Sequence, residues 1–439
     1  MRISKLSACL VPLFLTGMVW AQSTNSPKAV MPNAQRGDAP AFKPGAPASA
    51  AEAPTNVVRP EVGKPLLEAQ TLINEKKLPQ AKEKLMAANS VPDKTPYENY
   101  VISRVSLSAA IIEDDAPTAE KMLTQVLEMS KDTTWLKPEE SLQLMQAVGI
   151  VHYRVKSYAP AAEWMERYVK AGGLDATAKT LRVQALFLGG NYPRAIAVVS
   201  EENAQTLKDG KVPPVGYLEI LAQSYDKLKD NENYVRAFEM LVKYHPKKEY
   251  WQSLVNRLWA KPDLASRLQL DVFRLANQTG TLQETNDYLE YVDFAQKAGY
   301  SAEALKAYDQ GAAAGLLATG ANAAAHAKLR AKLVQESEQD RKNANTEATN
   351  AAKKPDGTSM IRVGMNLVGL GQTDKGLELM EKGIAKGGLK RPEDARLDLG
   401  IAYTMAGQTE KAAQIFATVS GKEGLDELGR YWILAIRKP

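Results

Sequence analysis

Between residue 62 and the end of the chain, apolar residues recur at steps of three and four, which is the period of amphipathic helices. No stretch in this region alternates apolar and polar residues long enough to predict a strand. Residues 214–246 show the pattern most clearly, because two apolar faces flank a polar turn at 229–231. Pro246 then follows the second face, and proline cannot continue a helix. The segment therefore predicts two helices joined by a short turn.

The same arrangement recurs along the chain as pairs of packing positions twelve residues apart, most of them small. Two antiparallel helices approach closely only where side chains are small, and larger residues fill the space beside them. The pairs recur about every 33 to 42 residues, with one gap of double length after position 292. They are Ala69/Ala81, Leu107/Ala119, Gly149/Ala161, Val183/Ala195, Ala222/Tyr234, Val292/Ala304, Gly364/Gly376 and Gly400/Ala412. This recurrence predicts a stack of helix pairs, and the alternative is a helical bundle with chance spacing.

A small residue at Ala222, aromatic residues at Tyr225 and Phe238, and a closing Pro246 resemble one tetratricopeptide repeat. The resemblance to this family extends over about residues 62–439. It implies an all-α fold, a right-handed superhelical solenoid of helix pairs with a capping helix at the C-terminal end. The residues that would form that capping helix are Leu425, Leu428, Tyr431, Trp432 and Leu434.

The N-terminal segment differs from the rest of the chain. Residues 1–21 combine the cations Arg2 and Lys5 with a short apolar run and a small residue at Ala21, which predicts a secretory signal peptide. The alternative is an uncleaved anchor. Residues 22–60 are rich in Pro, Ala, Ser and Asn and hold almost no large apolar side chain, which predicts a disordered linker.

The helical region is predicted to have three parts. Residues 61–345 form the repeat array, 346–358 a polar connector, and 359–439 a C-terminal repeat pair with the capping helix. Residues 335–354 hold almost no large apolar side chain, so we expect a helix with a loose end and a hinge between two sub-arrays there. We also expect close helix contacts at Gly311 and Gly383, and chain reversals at Gly315 and Gly387.

The composition argues against an enzyme. Cys9 is the only cysteine and lies in the predicted signal, so the exported chain has no thiol nucleophile, disulfide or cysteine metal ligand. His152, His245 and His326 lie in different repeats without ligand-spaced partners, and His152 is expected in the core. No glycine-rich phosphate loop or nucleophile elbow is present. We therefore expect no catalytic residue, metal or cofactor. The net charge of +5 falls to +3 without Arg2 and Lys5, which does not favour nucleic acid as a partner.

A binding surface remains as the site. The first helix of each pair lines the inner face of a curved stack, so residues beside each first-helix packing position are predicted to contact a protein or peptide partner. Amides can bond an extended backbone and aromatic rings supply contact area. The predicted residues are Gln146, Tyr153, Gln184, Phe187, Glu219, Gln223, Asp226, Asn256 and Trp259. The alternative is a solvated inner wall with the contact elsewhere.

Two further runs, at residues 244–251 and 386–402, resemble exported proteobacterial repeat proteins that accompany TonB–ExbB–ExbD energy-transducing systems. That resemblance implies a periplasmic scaffold or adaptor, with components of such a system as its partners and no membrane insertion after signal cleavage. The alternative function is an envelope-assembly factor for the outer membrane or cell wall. A third hypothesis, an enzyme, is disfavoured because no residue set suggests a reaction.

Overall fold

The structure is a computed structural model, and it describes residues 56–437. The predicted signal peptide and residues 22–55 of the predicted linker lie outside the described residues. Within the described part, all regular elements are helical, so the all-α prediction is confirmed. The chain divides into two compact units between Asp230 and Asn231, here called the N-terminal unit (56–230) and the C-terminal unit (231–437).

The N-terminal unit is a succession of nine helices with short turns between them. They are α1 (Pro60–Asn74), α2 (Leu78–Asn89), α3 (Pro96–Glu113), α4 (Ala116–Met129), α5 (Pro138–Arg154), α6 (Tyr158–Lys170), α7 (Ala176–Leu188), α8 (Tyr192–Lys208) and α9 (Val215–Lys227). Each odd-numbered helix from α1 to α7 packs against the helix that follows it. The odd helices therefore correspond to the predicted first helices.

The C-terminal unit holds eleven α-helices and two single 3₁₀ turns, Ser266–Leu268 and Gly320–Asn322. The helices are α10 (Asn231–Tyr244), α11 (Lys248–Trp259), α12 (Gln269–Gln278), α13 (Thr285–Lys297), α14 (Ser301–Ala313), α15 (Ala323–Lys353), α16 (Thr358–Gly369), α17 (Thr373–Lys386), α18 (Pro392–Met405), α19 (Thr409–Phe416) and α20 (Leu425–Ile436). The pairs α13–α14, α16–α17 and α18–α19 are the predicted repeats.

Close contacts confirm the glycine positions as helix-packing sites. A Cβ placed on Gly400 of α18 would lie 2.5 Å from Phe416 Cε1 of α19, and one on Gly311 would lie 2.8 Å from Tyr288 Cγ. Gly383 approaches Met360 in the same way, and a Cβ there would lie 2.9 Å from Met360 Cβ. These helices therefore pack closer than any side chain at these positions would permit.

Most other packing positions are buried as expected. Ala69, Ala81, Ala161, Ala195 and Ala304 are each fully buried. Tyr234 is the exception, because it is half-buried and Ala237 and Phe238 occupy the packed face of α10 instead. Gly315 and Gly387 have φ of +74° and +75°, which confirms the predicted chain reversals.

The prediction of a loose end after residue 335 is wrong, because α15 continues as one helix to Lys353 and takes up most of the predicted connector. Its second half buries Ala344, Ala348 and Ala351 against α16 and α17. Alanine has the highest helix propensity and permits close packing, so a helix face without large side chains can still be buried. The compact units also divide far from this segment, at residue 230.

The last residues of the predicted linker contact the first helices. Asn56 Oδ1 accepts a hydrogen bond of 2.8 Å from Trp135 Nε1, and the Arg59 guanidinium pairs with the buried Glu98 at 2.8 Å. Helix α1 then begins at Pro60, where a proline suits the first helical turn. Packing of the N-terminal unit therefore starts at Asn56 and not at residue 61.

The predicted capping helix is present as α20. Trp432 stacks on Phe416 with ring centroids 5.6 Å apart, which covers the end of the last repeat. Helix α20 also packs against α10 and α12 at the start of the same unit. Arg430 Nε donates to Glu239 Oε1 at 3.0 Å and Lys261 pairs with Glu427 at 3.0 Å. The C-terminal unit is thus closed by contacts between its last and first helices. Its right-handed superhelical turn stays a prediction.

Candidate functional site

The first helices of the N-terminal unit lie side by side. Contacts join α1 to α3, α3 to α5, α5 to α7 and α7 to α9, and each even helix from α2 to α8 lies between two successive odd helices. Helices that contact every second neighbour are closer together than the helices between them. The first helices therefore form the inner face of this unit, as the sequence predicts.

Hydrogen bonds connect the predicted residues on this inner face. Tyr153 on α5 donates its hydroxyl to Gln184 Oε1 on α7 at 3.0 Å. Gln146 Nε2 donates to Asp175 Oδ1 at 2.9 Å, and Asp175 is the N-cap of α7. All of these side chains except Asp175 are half-buried. The structure thus brings Gln146, Tyr153 and Gln184 together, and each still has part of its surface facing solvent.

Two aromatic pairs recur one repeat apart at the end of this face. The rings of Tyr153 and Tyr158 are 5.6 Å apart, and those of Phe187 and Tyr192 are also 5.6 Å apart. Each pair joins the last turn of a first helix to the first residue of the helix that follows. Edge or tilted aromatic contacts of this kind hold both rings in fixed orientations. The pairs therefore form two rigid, half-exposed apolar contacts.

The remaining predicted residues lie on two other helices. Glu219, Gln223 and Asp226 are half-buried on α9, the last first helix of the N-terminal unit. Asn256 and Trp259 lie on α11 and so belong to the C-terminal unit. Asn256 accepts a hydrogen bond from Gln252 at 3.1 Å, and the Trp259 ring packs 4.9 Å from that of Phe273. Seven of the nine predicted residues therefore lie in one unit.

The sequence prediction did not include a second surface of the N-terminal unit, the edge formed by the turns within helix pairs. Val155, Leu188 and Leu228 stand there at the ends of α5, α7 and α9, with 41%, 42% and 45% of their surface exposed. We call these three residues, with Tyr158 and Tyr192, the turn edge. Val155 and Leu228 each follow their packing position by six residues, and Leu188 follows its own by five. This shared offset was a signal that could have been read from the sequence.

A cleft of about 310 Å³ opens beside the turn edge, between α6 and the α7–α8 hairpin. Its walls are small and apolar, and its rim carries two carboxylates and one guanidinium. The lining residues are Ala159, Ala162, Glu163, Glu166, Ala185, Leu186, Gly189, Asn191 and Arg194. Arg194 Nε binds Glu166 Oε1 at 2.7 Å. The cleft can therefore accept an apolar side chain next to a negative rim.

The C-terminal unit buries a cluster of charges. Arg274 on α12 donates to both oxygens of Glu303 on α14 at 2.7 Å, and its Nη1 donates to Asp271 Oδ1 at 2.8 Å. Asp398 on α18 completes the cluster, with Oδ1 3.4 Å from Nη1. Burial, together with the nearby carboxylates, raises the pKa of Asp271 to about 6 and that of Asp398 to about 8. One guanidinium thus faces three carboxylates between α12, α14 and α18.

The histidines and acidic groups suggest structural roles. His152 is buried, which confirms the prediction of a core histidine, and its Nε2 lies 3.1 Å from Glu120 Oε2. Burial lowers the pKa of His152 despite that carboxylate. Among residues 56–437, no three His, Cys, Asp or Glu side chains are grouped to hold a metal ion. Within the same range, no helix has both the length and the apolar character needed to cross a membrane.

The tetratricopeptide repeat prediction is confirmed for two segments. The family model of the tetratricopeptide repeat matches residues 218–248 and 394–422, which contain the two copies singled out from the sequence. No curated protein matches the chain. The matched segments and the helix pairs together define a repeat protein of a class whose members bind other proteins.

Solved structures with similar helices include three repeat proteins. PilF of Pseudomonas aeruginosa is 14% identical over 44% of this chain and 96% of its own, with a TM-score of 0.21. The tetratricopeptide domain of P58(IPK) is 13% identical over 84% of this chain and 98% of its own, with a TM-score of 0.23. NprR bound to its cognate peptide NprX is 13% identical over 86% of this chain and 98% of its own, with a TM-score of 0.22. Scores this low do not establish a shared arrangement of repeats.

Proposed function

We propose that this chain is a protein-binding scaffold that holds an extended segment of its partner on the inner face of the N-terminal unit. The observation that carries this proposal is the hydrogen bond from Tyr153 to Gln184, which joins two first helices on a half-exposed surface. Side-chain amides on that surface can bond a peptide backbone, and the fixed rings of Tyr153 and Phe187 can anchor apolar side chains. Such a surface provides recognition without a reaction.

The proposed location is the periplasm. This part of the proposal rests on the signal pattern in residues 1–21, and a retained signal that anchors the chain to the inner membrane is the alternative. Fractionation of cells that produce the full chain tests it. A periplasmic product shortened by about 21 residues supports export with cleavage. A cytoplasmic product of full length overturns the proposed location.

The proposed partner is a component of a TonB-type energy-transducing complex. Its support is the resemblance of residues 244–251 and 386–402 to exported repeat proteins that accompany such systems. The alternative is a role in assembling the outer membrane or cell wall. A photo-crosslinking residue in place of Gln223, followed by mass spectrometry of periplasmic adducts, separates the two. Subunits of the energy-transducing complex support the first role, and assembly machinery supports the second.

A double substitution tests the inner face itself. Gln184→Lys with Gln223→Lys places two cations on the face and removes two amides, so capture of the crosslinked partner should fall at least about tenfold. Gln205→Lys is the matched control, because Gln205 is exposed on α8, a second helix. Equal capture by the correctly folded double variant would assign the contact to another surface.

A further inference from the structure

The turn edge places apolar side chains at corresponding positions in three successive repeats. Val155 caps the C-terminal end of α5, Leu188 is the last residue of α7, and Leu228 caps α9. Single exposed apolar residues are ordinary on protein surfaces, but recurrence at one structural position forms a continuous stripe. Tyr158 and Tyr192, both half-buried, fill the space between the stripe and the aromatic pairs.

The cleft lies between the first two positions of this stripe. Gly189 follows Leu188 directly, and a Cβ on Gly189 would lie 3.4 Å from Tyr158 Cβ, so the two hairpins meet closely there. Arg194 neutralises Glu166 on the rim, whereas the exposed carboxylate of Glu163 has no ion-pair partner among the described residues. The cleft is therefore apolar inside and carries net negative charge outside.

The spacing of the stripe selects the conformation of what can cover it. Packed helices lie about 8–10 Å apart, so neighbouring first helices set a period of roughly that length. A polyproline II segment advances about 3.1 Å per residue with three residues per turn, and so presents one side every 9 Å or so. An extended strand alternates its side chains, so every third residue would point to the opposite side. Only the polyproline conformation keeps an extended chain in register.

We propose that the turn edge binds a proline-containing segment of a partner protein that has an apolar side chain at every third position. The residues at the turn edge contact those side chains, one of which enters the cleft. Basic side chains between them face Glu163, because the rim is negative. This assignment depends on the chain being a protein-binding scaffold, as proposed above, and names a second surface and the chemistry of its partner.

Synthetic peptides test the proposal on the full chain. A fluorescein-labelled peptide of five Leu-Lys-Pro repeats should bind with a measurable change in anisotropy. A peptide of the same composition with its leucines scrambled should bind about tenfold more weakly, since only one leucine at a time can meet the stripe. A peptide of five Leu-Glu-Pro repeats should also bind more weakly, because its carboxylates face Glu163.

Variants of the turn edge provide the second test. Leu188→Asp and Val155→Asp should each raise the Kd of the Leu-Lys-Pro peptide about tenfold. Leu174→Asp is the matched control, because Leu174 is 82% exposed in the turn between α6 and α7, outside the turn edge. Glu163→Lys should reverse the preference, so that the acidic peptide binds more tightly than the basic one. Far-UV circular dichroism checks that each variant is folded.

Four results would overturn the proposal: equal binding of the scrambled peptide, unchanged binding by Leu188→Asp, tighter binding of a helical peptide with leucine every seventh residue, and no binding of any peptide. Displacement of the Leu-Lys-Pro peptide by a synthetic copy of residues 22–55 at lower concentration would make the chain's own segment the occupant, which also overturns it. The scaffold function is judged separately. If periplasmic capture depends on Gln184 and Gln223 while the turn edge variants capture normally, the scaffold remains and the turn edge assignment fails.

Discussion

The guanidinium of Arg274 donates to both carboxylate oxygens of Glu303, at 2.7 Å each, inside the C-terminal unit. The two residues are 29 positions apart on α12 and α14, and Tyr291 adds a hydroxyl hydrogen bond of 2.9 Å to the same carboxylate. An arginine keeps its charge at every accessible pH, so its burial requires carboxylate partners. The pair therefore fixes how these two helices face each other.

Replacing the buried guanidinium should destabilise the C-terminal unit strongly. Arg274→Met leaves Glu303, Asp271 and Asp398 without their shared cation, which costs about 3–5 kcal/mol for a buried ion pair that loses one member. Urea unfolding followed by circular dichroism should show this as a lower midpoint of the transition of that unit.

Arg236→Met is the matched control for that substitution. Arg236 pairs with Glu232 on the surface of α10, where the two side chains are 66% and 76% exposed. Exposed pairs contribute about 0–1 kcal/mol, so the unfolding midpoint should hardly move. Equal losses from the two substitutions would contradict a special role for the buried cluster.

The stability of the C-terminal unit should fall as the pH rises between about 4 and 8. The pKa of Asp398 is raised to about 8 in the folded protein by burial and by Asp271, against about 3.9 in an unfolded chain. The folded state therefore binds more protons than the unfolded state across that window, and stability decreases with pH there. Arg267, Asp394, Glu423, Tyr291 and Tyr300 also face the cluster and are unchanged in the comparison that follows.

Asp398→Asn isolates this effect. The amide keeps an acceptor for Arg274 and does not titrate, so the urea midpoint of the variant should depend less on pH than that of the parent. The difference between the two proteins should grow from pH 5 to pH 8.5 in favour of the variant. A parallel pH dependence in both proteins would contradict the raised pKa of Asp398.

Filling a glycine contact between helices should cost stability. A Cβ on Gly400 would lie 2.5 Å from Phe416, so Gly400→Ala forces α18 and α19 apart, with a loss of about 1–3 kcal/mol. The free energy of unfolding from urea titration measures it. Gly216→Ala is the control, because no atom lies within 4 Å of a Cβ there. In α9 the added methyl should leave stability unchanged or raise it by up to about 1 kcal/mol.

The N-terminal unit should lose stability on mild acidification through His152. Burial lowers the pKa of this histidine below its unfolded value of about 6.5, so the unfolded state binds the proton more readily. The neutral imidazole therefore contributes stability that is present above that value and lost as the pH falls through it. Thermal unfolding at pH 7.5 and pH 5.5 should show the loss, and His152→Gln should reduce it.

Glu120→Gln extends the histidine test. The carboxylate of Glu120, 3.1 Å from His152 Nε2, favours the protonated ring and so limits how far the pKa falls. Without it, the loss of stability on acidification should become larger than in the parent protein. A smaller loss would show that Glu120 opposes folding at low pH instead.

Local spacing was sufficient to predict the helix pairs. Gly311, Gly383 and Gly400 could be placed at close contacts because a small residue at a fixed offset has a local physical cause. The Arg274 cluster could not be predicted in this way, since Asp398 lies 124 residues from Arg274 and periodicity carries no information about such distances. The second half of α15 was missed because its buried face consists of alanines, which the search for large apolar residues passed over.

The contact between Arg430 and Glu239 spans 191 residues of sequence, and it has a consequence for the making of the protein. During translation, α10 leaves the ribosome long before α20 exists to cover it. At about 5–20 residues per second, its surface for α20 waits roughly 10–40 s for its partner. The first helix of this unit is therefore the one that a chaperone has the most time to bind.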